Sequence, residues 1–416
     1  MIEETKVKAS AYSWYALCLL TFVYVLNFLD RQIVYILFPS IKKDFSLTDT
    51  QLSLFGATAF VIFYTVLGIP FGRMADKVSR KKMIAIGLAV WSLFSGLTGF
   101  AVGFKTLFFC RVMVGVGEAT LGPAAFSLLA DYFPFEKRAT VSSIYSMGIA
   151  LGAGFAALFG GWIIGWNWGW RWAFYLLGFP GIFFAVLVFL LREQPRGKTE
   201  IQQVTYSSSD WKLLLTNRSL IFLYLGYALL GLATNNLSIW GVTFYSRLHK
   251  FDIATIGFWA GILTIAAGIP ATLFGGQIAD IFRRKNKGGR MLYSSLLAFV
   301  SIPFWLLILW TNNVYLLLFA NLILLAAALG WVGAAAADVT EIAGVNLRGL
   351  AIAIFFFAVN ISAYLIGSNL IAKLNDIFGA TQNPVMMRYT LLVCPVSCAL
   401  GALMLWLGSR EMSQQN

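Results

Sequence analysis

Twelve long apolar segments follow one another along this chain of 416 residues. Each is about 20 residues long, which as a helix matches the thickness of the hydrocarbon core of a bilayer. Backbone groups inside hydrocarbon must bond within their own segment, so the segments are predicted to be α-helices. The chain is 59% hydrophobic and 12% charged, with a mean hydropathy of +0.77, which excludes an ordinary soluble domain. The predicted segments are 14–38, 52–72, 83–103, 106–130, 140–165, 172–191, 219–246, 255–279, 291–311, 314–337, 349–373 and 389–408.

One sequence pattern occurs twice, about 200 residues apart. The first copy reads GIPFGRMADKVSRKK from Gly68, and the second has GIP from Gly268 and GGQIADIFRRK from Gly275. Each copy lies where an apolar segment meets a basic loop. Such a repeat predicts an all-α polytopic membrane protein with two pseudo-symmetric six-helix halves that rock about a site between them. The predicted parts are an N-terminal half, 1–191, a cytoplasmic linker, 192–218, and a C-terminal half, 219–416.

The distribution of lysine and arginine predicts the orientation. Twenty-one of the 31 basic residues fall on the side that carries both termini, eight on the opposite side and two inside the membrane. The positive-inside rule therefore places both termini in the cytoplasm, in a cell inner (plasma) membrane. The net charge of +13 lies in short loops, which favours contact with lipid headgroups over nucleic acid.

Four charged residues are predicted to lie well inside the membrane, all in the N-terminal half: Asp30, Arg31, Arg111 and Glu118. Charges there are costly and mark functional sites by default. Burial favours a neutral carboxyl group and a neighbouring arginine favours the ionised one, a balance that suits a proton-coupling site. We expect Glu118 to take the proton with Asp30 as its partner, and Arg31, Arg111 and Asn27 to gate or to hold a substrate headgroup. The alternative is a neutral ion-pair network that only fixes packing.

The glycines beside Glu118 predict close helix packing. Gly115 and Gly117 have no side chain, so they are expected to admit a neighbouring helix at this depth.

The repeated loops are predicted to form a cytoplasmic latch. A carboxylate at the end of the second or eighth helix can cap the N-terminus of a helix in the other half. The expected targets are the starts of the fifth and eleventh helices, and the alternative is a solvated basic loop. The latch residues are Gly72, Asp76, Arg80, Asp280, Arg284, Arg138 and Arg348.

The C-terminal half is predicted to offer amides and a phenol to the cavity in place of charge. Asn235 and Asn236 are adjacent and are a candidate break in the seventh helix. The cavity candidates are Asn235, Asn236, Asn360, Tyr364 and Asn369.

Enzyme chemistry, metals and cofactors are not predicted. The single histidine, His249, lies in a loop, and the sequence offers no nucleophile beside a base. The four cysteines fall inside helices, where they are expected to pack as small apolar residues. A transport path within one chain predicts a monomer, whose partners are a small amphipathic substrate, protons and membrane lipids.

Two motifs resemble a known family. Gly72-Arg-Met-Ala-Asp76 after the second helix resembles the major facilitator superfamily, over essentially the whole chain. Asn27-Phe-Leu-Asp30-Arg31-Gln together with Arg111-Val-Met-Val-Gly-Val-Gly-Glu118-Ala is similar to the spinster branch, as a bacterial homologue. The resemblance implies alternating access, a lysophospholipid or sphingosine-1-phosphate-like substrate, and coupling and gating roles for Asp30, Glu118, Arg31 and Arg111.

Alternatives to a proton-coupled lipid transporter stay open. An Asp-Arg pair on the first helix and Gly-Glu-Ala on the fourth also occur in the anion:cation symporter branch, which carries hexuronates and other small organic anions. The fifth helix lacks the proline of the antiporter motif, so symport, antiport and uniport are not distinguished. A passive lipid scramblase or channel is a remote alternative, and a membrane acyltransferase a more remote one.

Overall fold

The computed structural model describes residues 10–75, 77–134, 137–195 and 213–414. Within these ranges, eleven helices are long and apolar enough to cross a membrane, and a twelfth, α3, begins with three basic residues. The helices are α1 (Ala11–Phe45), α2 (Asp49–Ala75), α3 (Arg80–Thr98), α4 (Phe104–Tyr132), α5 (Thr140–Gly165), α6 (Trp170–Phe189), α7 (Arg218–Leu248), α8 (Ile253–Lys285), α9 (Gly289–Trp310), α10 (Val314–Ala343), α11 (Leu350–Ile377) and α12 (Met386–Gln414). The predicted fold class of twelve membrane helices is confirmed.

Polar side chains mark where several helices begin. Ser10 accepts a hydrogen bond from Ser13 N at 3.1 Å at the start of α1. Asn217 caps α7 and Asp252 caps α8 in the same way, since each side chain accepts from a backbone N–H three residues on. These caps satisfy N–H groups that have no partner within the helix.

The two halves pack against each other through helices α5 and α8. A Cβ atom built on Gly161 of α5 would lie 3.0 Å from the carbonyl oxygen of Ala254 on α8. One built on Gly261 of α8 would lie 2.7 Å from the carbonyl oxygen of Gly154. Small residues thus let the backbones of the two halves approach closely.

The two ends of the bundle differ. Twelve crossings bring the chain back to the side where it begins, and we call this the termini side and the other the far side. On the far side, polar contacts join the halves, for instance Ser53 Oγ of α2 to Ser368 Oγ of α11 at 2.8 Å. On the termini side, a Cβ atom built on Gly68 or Gly72 of α2 would meet nothing within 4 Å. The halves are therefore closed together at the far end, and open space borders α2 at the termini end.

One sequence expectation about helix continuity is wrong. Helix α7 runs unbroken from Arg218 to Leu248, because the side chains of Asn235 and Asn236 donate to carbonyls one turn back, both at 2.8 Å. Such bonds satisfy an amide without opening the helix. The chain turns back between α10 and α11, since the ring centres of Trp331 and Phe355 lie only 6.5 Å apart. The α8 helix continues to Lys285, which leaves Asp280 inside its last turns.

Candidate functional site: a buried charge cluster

An ion pair between α1 and α4 forms the centre of the site. Arg31 Nη2 lies 2.9 Å from Glu118 Oε2, and Arg31 Nε donates to the same oxygen at 3.3 Å. The two side chains are 8% and 0% exposed. Removing one member of such a buried pair leaves the other charge uncompensated, so the pair strongly constrains this region.

Arg111 ties three helices together through backbone carbonyl groups. Its Nη2 donates to Arg31 O at 3.0 Å and to Gly56 O at 3.4 Å, and its Nη1 to Asp30 O at 3.4 Å. Gly56 lies within a π-helical turn of α2 at Leu54–Thr58. Turns of this kind are frequent at functional sites. Here the turn presents a carbonyl oxygen to a charge on α4.

Asp30 lies in the same layer but faces a different helix. Ser95 Oγ on α3 donates a short hydrogen bond to Asp30 Oδ1. Glu118 is instead paired with Arg31, so the structure does not show Asp30 and Glu118 in direct contact. Asn27 Oδ1 accepts from Arg31 Nη2 at the long distance of 3.5 Å. The four charges balance, with two acids and two arginines almost wholly buried.

Three aromatic rings surround the Arg31 guanidinium group. Its Cζ lies 4.8 Å from the ring centre of Phe28, 4.6 Å from that of Phe60 and 4.5 Å from that of Tyr64. Cation–π attraction at this range stabilises a buried positive charge. Nothing in the sequence identifies Ser95 as a residue of the site. Phe60 and Tyr64 could have been grouped, because they are four residues apart and therefore share a face of α2.

Three polar atoms of the cluster are buried without a hydrogen-bond partner among the described residues. They are Asn27 Nδ2, Asp30 Oδ2 and Glu118 Oε1. Leaving such atoms unpaired is costly, so each calls for an explanation, such as a functional role or a bound water or ion. Each carboxylate thus has one oxygen that accepts a hydrogen bond and one that has no partner among the described residues.

The amide and phenol groups predicted for the C-terminal half lie on α7 and α11. Tyr364 Oη donates to Asn235 Oδ1 at 2.8 Å, and Asn236 Nδ2 donates to Ala363 O at 3.2 Å. Asn369 Nδ2 donates to Thr58 Oγ1 of α2 at 2.6 Å, across the two halves. Asn360 is half-buried where a second π-helical turn, Ile361–Gly367, begins.

An apolar chamber of about 320 Å³ lies between α1, α5, α7, α8 and α10. Gln32, the residue after Arg31, lies at its wall. Most of the lining is aliphatic or aromatic, and Asn321 Nδ2 donates to Tyr245 Oη at 2.6 Å. The other polar lining residues are Gln32, Ser238, Thr255 and Thr264. Because such side chains look like ordinary lipid-facing residues, the sequence could not mark the chamber. Its other lining residues include Ile36, Leu237, Val242, Ile256, Trp259, Leu263 and Leu325.

The basic loops on the termini side form ion pairs within each half. Arg80 at the start of α3 is buried and pairs with Asp131 on α4 and with Glu193, whose Oε1 is 2.9 Å from its Nε. Burial alone would raise the pKa of Glu193, but hydrogen bonds from Ser79, Arg80 and the Lys81 N–H hold it below its usual value. These contacts fix the chain that leaves α6 to the start of α3.

The second copy of the loop shows a similar arrangement. Asp280 accepts from Arg290 Nε at 2.7 Å, and Arg290 also pairs with Asp338 and Glu341. Arg284 is exposed. Of the other predicted latch residues, Asp76 and the side chains of Arg138 and Arg348 lie outside the described residues.

Glycines place α4 directly against α3 and α2, as predicted. A Cβ atom on Gly117 would lie 2.7 Å from both Gly87 O and Trp91 N, and one on Gly115 would lie 2.6 Å from Phe60 O. Backbone atoms cannot turn aside as a flexible side chain can. The close approach therefore holds Glu118 at its depth.

We expect Gly117→Ala to destabilise the protein by about 1–3 kcal/mol, as overpacking of a filled interior does. The matched control is Gly122→Ala on the same helix, where the added methyl group meets nothing within 4 Å. Thermal unfolding of the purified variants in detergent measures both. Equal melting temperatures for the two variants would contradict the close packing of α4 on α3.

Comparison with known proteins assigns the family. Residues 20–305 match the family model described as Major Facilitator Superfamily. The chain belongs to the Major Facilitator Superfamily. It is therefore a transporter and not an enzyme, and its family moves small substrates by secondary transport.

Several relatives refine this assignment. The chain is 24% identical to the uncharacterized transporter YybO of Bacillus subtilis, over 91% of this chain and 92% of that one. It is 29% identical to protein spinster homolog 1 of Xenopus laevis, over 69% of this chain and 58% of that one. The predicted resemblance to the spinster branch is thus confirmed.

The solved structures agree on the fold. A bacterial homolog to the human lysosomal transporter Spinster, in an inward-facing and unoccupied conformation, superposes with a TM-score of 0.82 at 24% identity, over 97% of both chains. A D-xylose–proton symporter superposes with a TM-score of 0.73 at 15% identity, over 95% of this chain and 98% of that one. At these identities the likeness shows the fold alone.

Proposed function

We propose that the protein is a proton-coupled transporter that works by alternating access and moves an amphipathic lipid with an anionic or zwitterionic head, such as a lysophospholipid or a sphingosine-1-phosphate-like molecule. One observation carries the proposal: an apolar chamber of about 320 Å³ is lined in part by Gln32, the residue next to Arg31 of the buried charge cluster. The substrate head would lie at Arg31 and its chain in the chamber.

The chamber distinguishes this substrate class from a small organic anion. Each methylene group that leaves water for an apolar site contributes about 0.8 kcal/mol. A hexuronate has no such groups and would cover the apolar wall with hydroxyls that find few partners there. The charge cluster alone would serve either substrate, so the choice rests on the chamber.

Glu118 supports proton coupling by its geometry. Its Oε2 holds Arg31 and its Oε1 has no partner, so a proton arriving at Oε1 would neutralise the carboxylate. Arg31 would then be released from its counter-charge and could hold an anionic head, for which a planar guanidinium group is well suited. In this scheme Asp30 and Arg111 keep the balance of charge, and Arg111 holds α1 and α2 in place.

The basic loops support an orientation with both termini in the cytoplasm. We propose that the open space beside α2 then faces the cytoplasm, so that the conformation is inward-facing. In the opposite state we propose that the repeated loops hold the cytoplasmic side closed, with Gly72, Asp76, Arg80, Asp280 and Arg284 facing the region of Arg138 and Arg348. The path lies within one chain, so we propose a monomer.

Transport into proteoliposomes tests the function. A labelled lysophospholipid, a labelled sphingoid phosphate and a labelled hexuronate are offered with and without a pH gradient. We expect lipid movement that depends on the gradient. Movement of the hexuronate alone would assign the chain to the anion symporters, and lipid movement without any dependence on the gradient would indicate a scramblase.

Filling the chamber should discriminate between substrates of different chain length. Gly241 borders the chamber, where an added Cβ atom would have only ordinary contacts at 3.8 Å or more. We expect Gly241→Phe to reduce transport of a long-chain lysolipid at least tenfold and of a short-chain analogue less than twofold. Val300→Phe, on the exposed face of α9, is the control for an added ring. An equal loss for both chain lengths would contradict the assignment of the chamber to the chain.

A further inference from the structure

The first turn of α2 is held by a residue of the other half. The carboxylate of Asp376, near the end of α11, accepts from Asp49 N at 2.9 Å, from Thr50 N at 2.8 Å and from Thr50 Oγ1 at 2.6 Å. The N–H groups of a first helical turn lack partners in their own helix, and the helix dipole favours a negative charge there. The Asp376 side chain, in the C-terminal half, thus caps α2 of the N-terminal half on the far side.

The side chain of Asp49 forms a second link at the same place. It is fully buried, and Arg247 of α7 binds it with two parallel hydrogen bonds, Nη1 to Oδ2 at 2.6 Å and Nη2 to Oδ1 at 2.7 Å. Lys42 of α1 contacts the same carboxylate and also donates to Thr381 Oγ1 at 2.8 Å. Two-pronged arginine–carboxylate pairs are among the strongest hydrogen-bonded contacts in proteins.

We propose that Lys42, Asp49, Thr50, Arg247 and Asp376 form a far-side clamp that must open before the substrate site can reach the far side. Each half keeps its internal contacts when the halves rock, whereas every contact of the clamp between the halves must break. The clamp therefore sets the equilibrium between the two open states of the transport cycle. Nothing in the sequence distinguishes these residues as functional, because charges at the ends of membrane helices are ordinary.

Helix α2 links the clamp to the charge cluster. Its π-helical turn, Leu54–Thr58, begins one turn beyond Asp49 and carries the Gly56 carbonyl that accepts from Arg111. Ser53 and Thr58 of the same stretch contact Ser368 and Asn369 of α11 at 2.8 Å and 2.6 Å. A movement of the start of α2 away from α11 would therefore pull directly on a contact of the buried arginine.

Cysteine labelling of purified protein in lipid nanodiscs tests the clamp. The reporter is Ser368→Cys, whose site is fully buried at the seam between the halves, in a chain with its four native cysteines replaced by alanine. We expect the reporter to react with a water-soluble maleimide at least tenfold faster when Asp376→Ala is added. Asp252→Ala is the matched control, because Asp252 also caps a far-side helix but within its own half.

A second variant covers the case in which Asp376→Ala does not fold. Arg247→Gln removes the other link and leaves the cap of α2 intact, and it too should accelerate labelling at least tenfold. An unchanged labelling rate in a folded Asp376→Ala protein, or in Arg247→Gln, would overturn the proposal. Equal acceleration by Asp252→Ala would overturn it as well, since that result would indicate general loosening of the far side.

Discussion

Replacing Glu118 with glutamine should abolish pH-driven transport while the protein stays folded. The amide oxygen of glutamine can still accept from Arg31, which now donates to Glu118 Oε2 at 2.9 Å, so the contact between α1 and α4 keeps its geometry. The amide cannot gain and lose a proton as the carboxylate does. We expect uptake driven by a pH gradient to fall to the level of empty liposomes.

Exchange at equal pH distinguishes a coupling defect from a general loss of activity. We expect Glu118→Gln proteoliposomes to exchange labelled for unlabelled substrate without a gradient, because the site can still alternate between the two sides. Glu341→Gln is the control, since Glu341 is a partly exposed carboxylate that pairs with Arg283 on the termini side. Uptake by Glu118→Gln that depends on the gradient as in the wild type would contradict the role of Glu118.

The sequence predicts the fold well because the free-energy cost of an unpaired polar group in the membrane dominates. Every backbone group in hydrocarbon must be bonded internally, so long apolar segments can only be helices. The same cost identifies Asp30, Arg31, Arg111 and Glu118, since a charge in hydrocarbon persists only with a compensating partner. The structure brings these four into one layer, with every side chain almost wholly buried.

The spacing of the charged residues along the sequence could not predict which of them pair within the cluster. Periodicity places residues on a helix face, but the rotation of one helix against another decides which faces meet. Asp30 therefore meets Ser95 of α3, and Arg31 takes the contact with Glu118. The aromatic rings around Arg31 depend on the same packing.

Arg31→Met should be among the most destabilising substitutions in the chain. It leaves Glu118 buried with no donor and removes the cation from between Phe28, Phe60 and Tyr64. Breaking one partner of a buried ion pair typically costs about 3–5 kcal/mol, whereas replacing both partners with groups of similar volume is often neutral. We therefore expect a loss of that size for Arg31→Met.

The double variant Arg31→Met with Glu118→Gln should recover most of this loss, because it leaves no uncompensated charge at the pair. Denaturant unfolding of the wild type, both single variants and the double variant in detergent gives the coupling free energy of the pair. We expect that coupling to exceed about 2 kcal/mol, near the upper end of the range for residues in direct contact. If the losses in the free energy of unfolding are additive, Arg31 and Glu118 do not stabilise each other. The proposal that a proton on Glu118 releases Arg31 would then be contradicted, because it depends on their ion pair.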